Sequence, residues 1–101
     1  MIRIAIIDDE PRQRRGMEQL IIALRPEAEV LAFRNAKEAL EALRVQPAQI
    51  IFSDIRMPHM TGLDLAQRVH ERMPNTLVIL ISAYSEFEYA HKAIELGVFS
   101  Y

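Results

Sequence analysis

The chain has no cysteine, no tryptophan and only three glycines, and its net charge is only −2. Without cysteine there is neither a disulfide framework nor a thiolate-ligated metal site. The longest continuous apolar runs, such as Leu77–Ile81, fall far short of the roughly 20 residues a membrane span needs. The N-terminal apolar stretch meets Asp8 too soon for a secretory signal. The near-neutral balance argues against nucleic-acid binding by this segment alone, since that wants a basic face. Gly16, Gly62 and Gly97 never adjoin one another, so no glycine-rich phosphate loop of the nucleotide-binding kinds is present. No two histidines stand at ligand spacing, which with the missing thiols argues against zinc and copper. Ser82 has no glycine-flanked elbow, so a Ser-His-Asp hydrolase is disfavoured.

What is present is an ordinary globular composition, half apolar and about a quarter charged, in a length that suits one domain. Disorder is excluded by that apolar content. Two kinds of segment alternate. Ile2–Ile7, Val30–Phe33, Ile50–Phe52 and Leu77–Ile81 are short apolar runs suited to strands buried on both faces. Between them, apolar residues recur at helical spacing: Met17, Leu20, Ile21, Leu24; Ala36, Ala39, Leu40, Leu43; Leu63, Ala66, Val69; and Phe87, Ala90, Ile94. Asn35 with Glu38, Thr61 with Asp64 and Ser85 with Glu88 have the spacing of helix N-caps, and Pro11 fits a first helical turn. Pro26, Pro47 and Pro74 would each end a helix, and Gly97 suits a left-handed cap. The expected fold is α/β: a doubly wound parallel sheet in three layers, running β-α-β-α-β-α-β-α and into the start of a fifth strand.

In such sheets ligands sit outside the carboxyl ends of the strands, at the switch point. There the sequence puts Asp8, Asp9 and Glu10 after the first strand, Asp54 after the third and Ser82 after the fourth. A single acid at a strand end is usually a helix cap, and Glu10 fits that role. Clustered carboxylates resist ionisation together, and a hard divalent cation such as Mg2+ relieves them. A carboxylate beside Mg2+ can also act as a nucleophile toward phosphorus. Asp54 is the best-placed nucleophile, Asp9 a direct metal ligand, Asp8 a ligand directly or through water, and Ser82 a hydrogen-bond donor to a phosphoryl oxygen. His59 follows Asp54 in a loop; His70 and His91 lie in helical stretches and read as solvated.

These residues resemble the receiver domain of a two-component response regulator over essentially the whole chain. The resemblance rests on Ile6-Ile7-Asp8-Asp9-Glu10, on Asp54-Ile55-Arg56-Met57-Pro58-His59-Met60-Thr61-Gly62, on Ile81-Ser82-Ala83-Tyr84 and on Ala93-Ile94-Glu95-Leu96-Gly97-Val98. It implies a flavodoxin-like sheet of strand order 2-1-3-4-5, as in chemotaxis receivers. It further implies Asp54 as phosphoacceptor and Asp8, Asp9, Asp54 and the backbone carbonyl of Arg56 around Mg2+. Ser82 and Tyr101 would be the switch pair. Ala83, Tyr84, Met57 and Pro58 would flank the site.

The family also places a phosphate-binding lysine after the aromatic switch. No residue of this chain fills that position, because Lys37 and Lys92 lie in helical stretches. Residues 1–101 are therefore expected to form a receiver truncated in or just after strand five, without the final helix. The implied partners are a histidine kinase and a second copy of the chain, on activation or through truncation. Any DNA contact would come through an output domain, with no membrane association and a cytoplasmic location. The stretch Ser82–Ala90 is similar to receivers joined to an AraC-type DNA-binding domain. Two alternatives stay open: a Mg2+-dependent phosphatase working through an aspartyl-phosphate, and an interaction module that takes no phosphoryl group.

Overall fold

The computed structural model describes residues 1–81. Their elements run β1 (Arg3–Ile7), α1 (Pro11–Leu24), β2 (Glu29–Phe33), α2 (Ala36–Val45), β3 (Ile50–Asp54), α3 (Gly62–Arg72) and β4 (Leu77–Ile81). The strands form one parallel sheet in the order β2-β1-β3-β4. This is the doubly wound sheet the alternation predicts. The fourth helical stripe and the expected fifth strand lie outside the described residues.

Local chemistry explains the boundaries. Pro11 opens α1, and the Glu10 side chain accepts from the backbone N–H groups of Arg12 and Gln13, so Glu10 is the cap its position suggested. Asn35 caps α2 by accepting from the Glu38 N–H at 2.8 Å. Thr61 and Asp64 form a reciprocal capping box at α3. At the other ends, Arg25, Gln46 and Met73 are the C-caps of the three helices, and each directly precedes a proline. A following proline disfavours the helical basin. The ψ angles of these caps are accordingly 72°, 87° and 67°.

The two faces of the sheet carry separate cores. Under α2 and α3 lie Ala5, Ile7, Ile51, Val78 and Leu80 of the strands, packed on Ala39, Leu43, Leu65, Ala66 and Val69. Under α1 the buried set is Ile4, Ile6 and Ile21, with Met17, Val30, Ile50 and Phe52 half-buried around it. Only part of the expected burial holds. The stripe of α1 buries Ile21 alone, while Leu20 and Leu24 stay exposed. Edge strand β2 is half-buried throughout, unlike the strand buried on both faces that its composition suggested. Leu65, absent from the predicted α3 stripe, is fully buried. The third strand also runs two residues further than its apolar run, so Asp54 is its last residue and not the first beyond it.

Candidate functional site

The order β2-β1-β3-β4 puts the carboxyl ends of β1 and β3 side by side. Asp8 follows β1, and its backbone N–H donates to the Phe33 carbonyl at the end of β2. Asp54 ends β3, and the next N–H, of Ile55, donates to the Ile81 carbonyl of β4. The sheet thus fixes both chain segments before they leave it. Carboxylate oxygens of Asp8, Asp9 and Asp54 all lie within 4.8 Å of one another.

The surroundings set the charge state. Burial pushes the Asp8 carboxyl above its ordinary value, and the nearby Asp54, Asp9 and Glu10 push the same way. A hydrogen bond from the Glu10 N–H to Asp8 Oδ1, at 2.9 Å, works against this. Burial likewise raises Asp54, with Asp9 adding to it, while the N–H groups of Arg56 and Ile55 oppose. Glu10 differs: the two N–H groups it caps hold its carboxyl below the usual range. It therefore serves the helix, and the three aspartates carry the unrelieved repulsion. Oxygen donors this close, with the Asp8 and Asp54 carboxyls raised, suit a hard divalent cation that would offset their charge.

Two further contacts shape the cluster. The Arg14 guanidinium, from the second turn of α1, donates to the Asp8 carbonyl at 2.9 Å. Gly62, at the start of α3, donates its N–H to the Ile55 carbonyl at 2.8 Å. A Cβ on Gly62 would lie 2.4 Å from the Asp54 carbonyl oxygen, so only glycine lets the loop close under the strand end. Between Asp54 and Gly62 the loop turns at His59, whose φ is 70° while the Met60 N–H bonds the Pro58 carbonyl. His59 is exposed on this turn and does not join the acids. Met57 is buried in the α2/α3 core, and Pro58 is exposed. A groove of about 650 Å3 runs from the acids along α1, lined by Gly16, Met17, Leu20, Phe52 and Ile81 among others.

The residues expected at the site therefore divide into two groups. Asp8, Asp9 and Asp54 converge, with Arg56 on the adjoining loop. Ser82, Ala83, Tyr84 and Tyr101 lie outside the described residues. Arg14, Ser53 and Gly62 received no site role from the sequence. The contacts of Arg14 and Gly62 depend on how the chain returns to the strand ends, and that of Ser53 is to the backbone of its neighbour.

A doubly wound parallel sheet with three aspartates gathered at its switch point defines an α/β domain with a candidate cation site. The comparisons are narrower. The response regulator receiver domain family matches residues 4–101, and the chain belongs to that family. It is 38% identical over 96 residues to the response regulator protein PilR of Pseudomonas aeruginosa, covering 95% of this chain and 21% of that protein. It is 34% identical over 96 residues to the DNA-binding transcriptional regulator NtrC of Proteus hauseri, covering 95% of this chain and 20% of that one. The chain thus spans about a fifth of the length of these two relatives. Among solved structures it resembles a DNA-binding response regulator of the LuxR family from Staphylococcus aureus. There the TM-score is 0.89 at 28% identity, over 100% of this chain and 84% of that one.

Proposed function

We propose that the chain is a phosphorylation switch in which Asp54 accepts a phosphoryl group from a histidine kinase. The convergence of Asp8, Asp9 and Asp54 at the switch point carries this reading. An oxygen of the Asp54 carboxylate attacks phosphorus and forms a new O–P bond. The P–N bond of the donor phosphohistidine breaks, and its electron pair stays on the imidazole nitrogen. Asp8, Asp9, Asp54 and the Arg56 carbonyl would hold Mg2+, which when bound offsets charge on the phosphoryl oxygens.

The residues beyond Ile81 then answer the new charge. Ser82 donates its hydroxyl to the phosphoryl group, Ala83 leaves room for it, and Tyr101 moves into the space Ser82 vacates. Pro58 and Tyr84 flank the site, while Met57 anchors the adjoining loop in the α2/α3 core. The outcome is an altered contact with a partner or a second copy, a local electrostatic event with a surface readout. The chain acts as a switch and not as an enzyme that turns over. It works in the cytoplasm; among the described residues no helix is long and apolar enough to cross a membrane. The relatives named as transcriptional regulators support a transcriptional output, with DNA bound by a separate domain. For the AraC type of that domain, only the stretch Ser82–Ala90 speaks.

The test is incubation of the purified protein with acetyl phosphate and Mg2+, followed by mass spectrometry. The expected result is a gain of one phosphoryl group that Asp54→Asn abolishes. No gain in the parent, or an undiminished gain in the variant, refutes the proposal. Multiple turnover of a phosphate monoester would favour the phosphatase reading instead.

A further inference from the structure

Ser53 is the one buried polar side chain among the described residues, at 1% exposure, and it directly precedes Asp54. It faces the α2/α3 core, paired in register with Ile7 on one side and Leu80 on the other. A hydroxyl in that setting is costly unless bonded. Its Oγ donates to the backbone carbonyl of Asp54 at 2.9 Å. That carbonyl lies beneath Gly62, in the space a Cβ there would occupy, and its neighbours Ser53, Ile55 and Gly62 are all buried. The peptide joining Asp54 to Ile55 is therefore held from two directions, by a donor behind it and by the close approach of α3 above it.

The direction of this peptide matters for chemistry. Together with the strand pairing of β3, it holds the backbone from which the Asp54 carboxylate projects toward Asp8 and Asp9. It also leads into Arg56, whose N–H donates to Asp54 Oδ1 at 3.4 Å. An apolar residue at position 53 would leave this carbonyl without the hydroxyl donor and the peptide freer to rotate.

We infer that Ser53 is a positioning residue for the Asp54 nucleophile, acting through the Asp54 carbonyl and not through contact with the phosphoryl group. The inference rests on the reading of Asp54 as phosphoacceptor and metal ligand. Misplacement of a reacting group by an ångström can cost on the order of a hundredfold in rate, so a partial loss of restraint should cost about tenfold.

The test compares Ser53→Ala and Ser53→Thr with the parent protein by three measurements. These are the 13C chemical shift of the Asp54 carbonyl, the Mg2+ dissociation constant, and the rate of phosphoryl uptake from acetyl phosphate at saturating Mg2+. In Ser53→Ala the carbonyl shift should move as a hydrogen bond is lost. The Mg2+ dissociation constant should rise about threefold and the rate should fall about tenfold. Ser53→Thr, which keeps the hydroxyl, should stay near the parent in all three. If Ser53→Ala keeps the parent's Mg2+ affinity and rate, the hydrogen bond is structural only and the inference falls. An unmoved carbonyl shift also overturns it, whether or not the threonine variant folds. If the parent binds Mg2+ but never takes a phosphoryl group, the switch reading fails, and Ser53 is then judged on Mg2+ affinity alone. If the parent binds no Mg2+, both fall together.

Discussion

On the α2/α3 side of the sheet, Leu43, Ile51, Leu65 and Val69 lose all exposure, whereas on the α1 side Leu20 and Leu24 stay 54% and 61% exposed. The helices differ in the same sense. The first half of α1 holds Arg12, Arg14, Arg15 and Gly16, so its apolar stripe begins only at Met17. Helix α3 begins burying residues at Gly62, and α2 at Ala36. The closed side supplies cohesion. Among the described residues, the α1 side adjoins the acids and is the more loosely packed of the two.

The sharpest way to break this contrast is to cut one leucine on each side. Leu43→Ala should destabilise by about 2–5 kcal/mol, as expected for a fully buried leucine. Leu20→Ala should cost less than about 1 kcal/mol. Urea denaturation of both variants checks the pair, and equal costs would mean that the α1 side is as closed as the other.

A smaller effect sharpens it. A Cβ on Gly16 would meet nothing within 4 Å, so the helix carries a mid-helix glycine with no steric need for it. Gly16→Ala should stabilise by about 0.5–1 kcal/mol through helix propensity alone. A loss of stability on thermal melting would show that this side is more crowded than the groove suggests.

The smallest effect is electrostatic. Asp8 and Asp54 titrate above their ordinary value near 3.8 in the folded chain. The folded state therefore binds their protons more readily than the unfolded state does. Their contribution is unfavourable at neutral pH, and it fades as pH falls through the raised values toward 3.8. Without Mg2+, Asp54→Asn should melt higher than the parent at pH 7, by about one or two degrees given solvent screening, and the gap should close in acid. Added Mg2+ should stabilise the parent and leave the variant unmoved. A parent that melts higher than Asp54→Asn in metal-free buffer at pH 7 would contradict the repulsion.

Much of this architecture is legible in the sequence because it is local. Asn35, Thr61 and Glu10 cap helices by contacts two or three residues away, and Pro26, Pro47 and Pro74 act on the residue before them. The convergence of Asp8, Asp9 and Asp54 follows from strand order, which alternation and the family resemblance supply together. What escapes is set by distant approaches. The spacing of Leu20 and Leu24 marks a helix face but not what covers it. The role of Gly62 depends on α3 returning to within a Cβ of the Asp54 carbonyl. Ser53 did leave a signal, a lone hydroxyl between an apolar run and an aspartate, but its partner is a backbone atom that composition cannot show.

The parallel sheet also has a quiet edge. The turns that lead into β2, β3 and β4 all lie at the amino ends of the strands, about 17 Å from the acids across five-residue strands. Glu27 and Asn75 sit exposed in two of them. Because the chain has no cysteine of its own, Glu27→Cys or Asn75→Cys would give one chemically unique handle. A fluorophore or surface tether attached there would leave the acidic edge free, so the domain can be immobilised or watched without touching the residues whose chemistry is being measured.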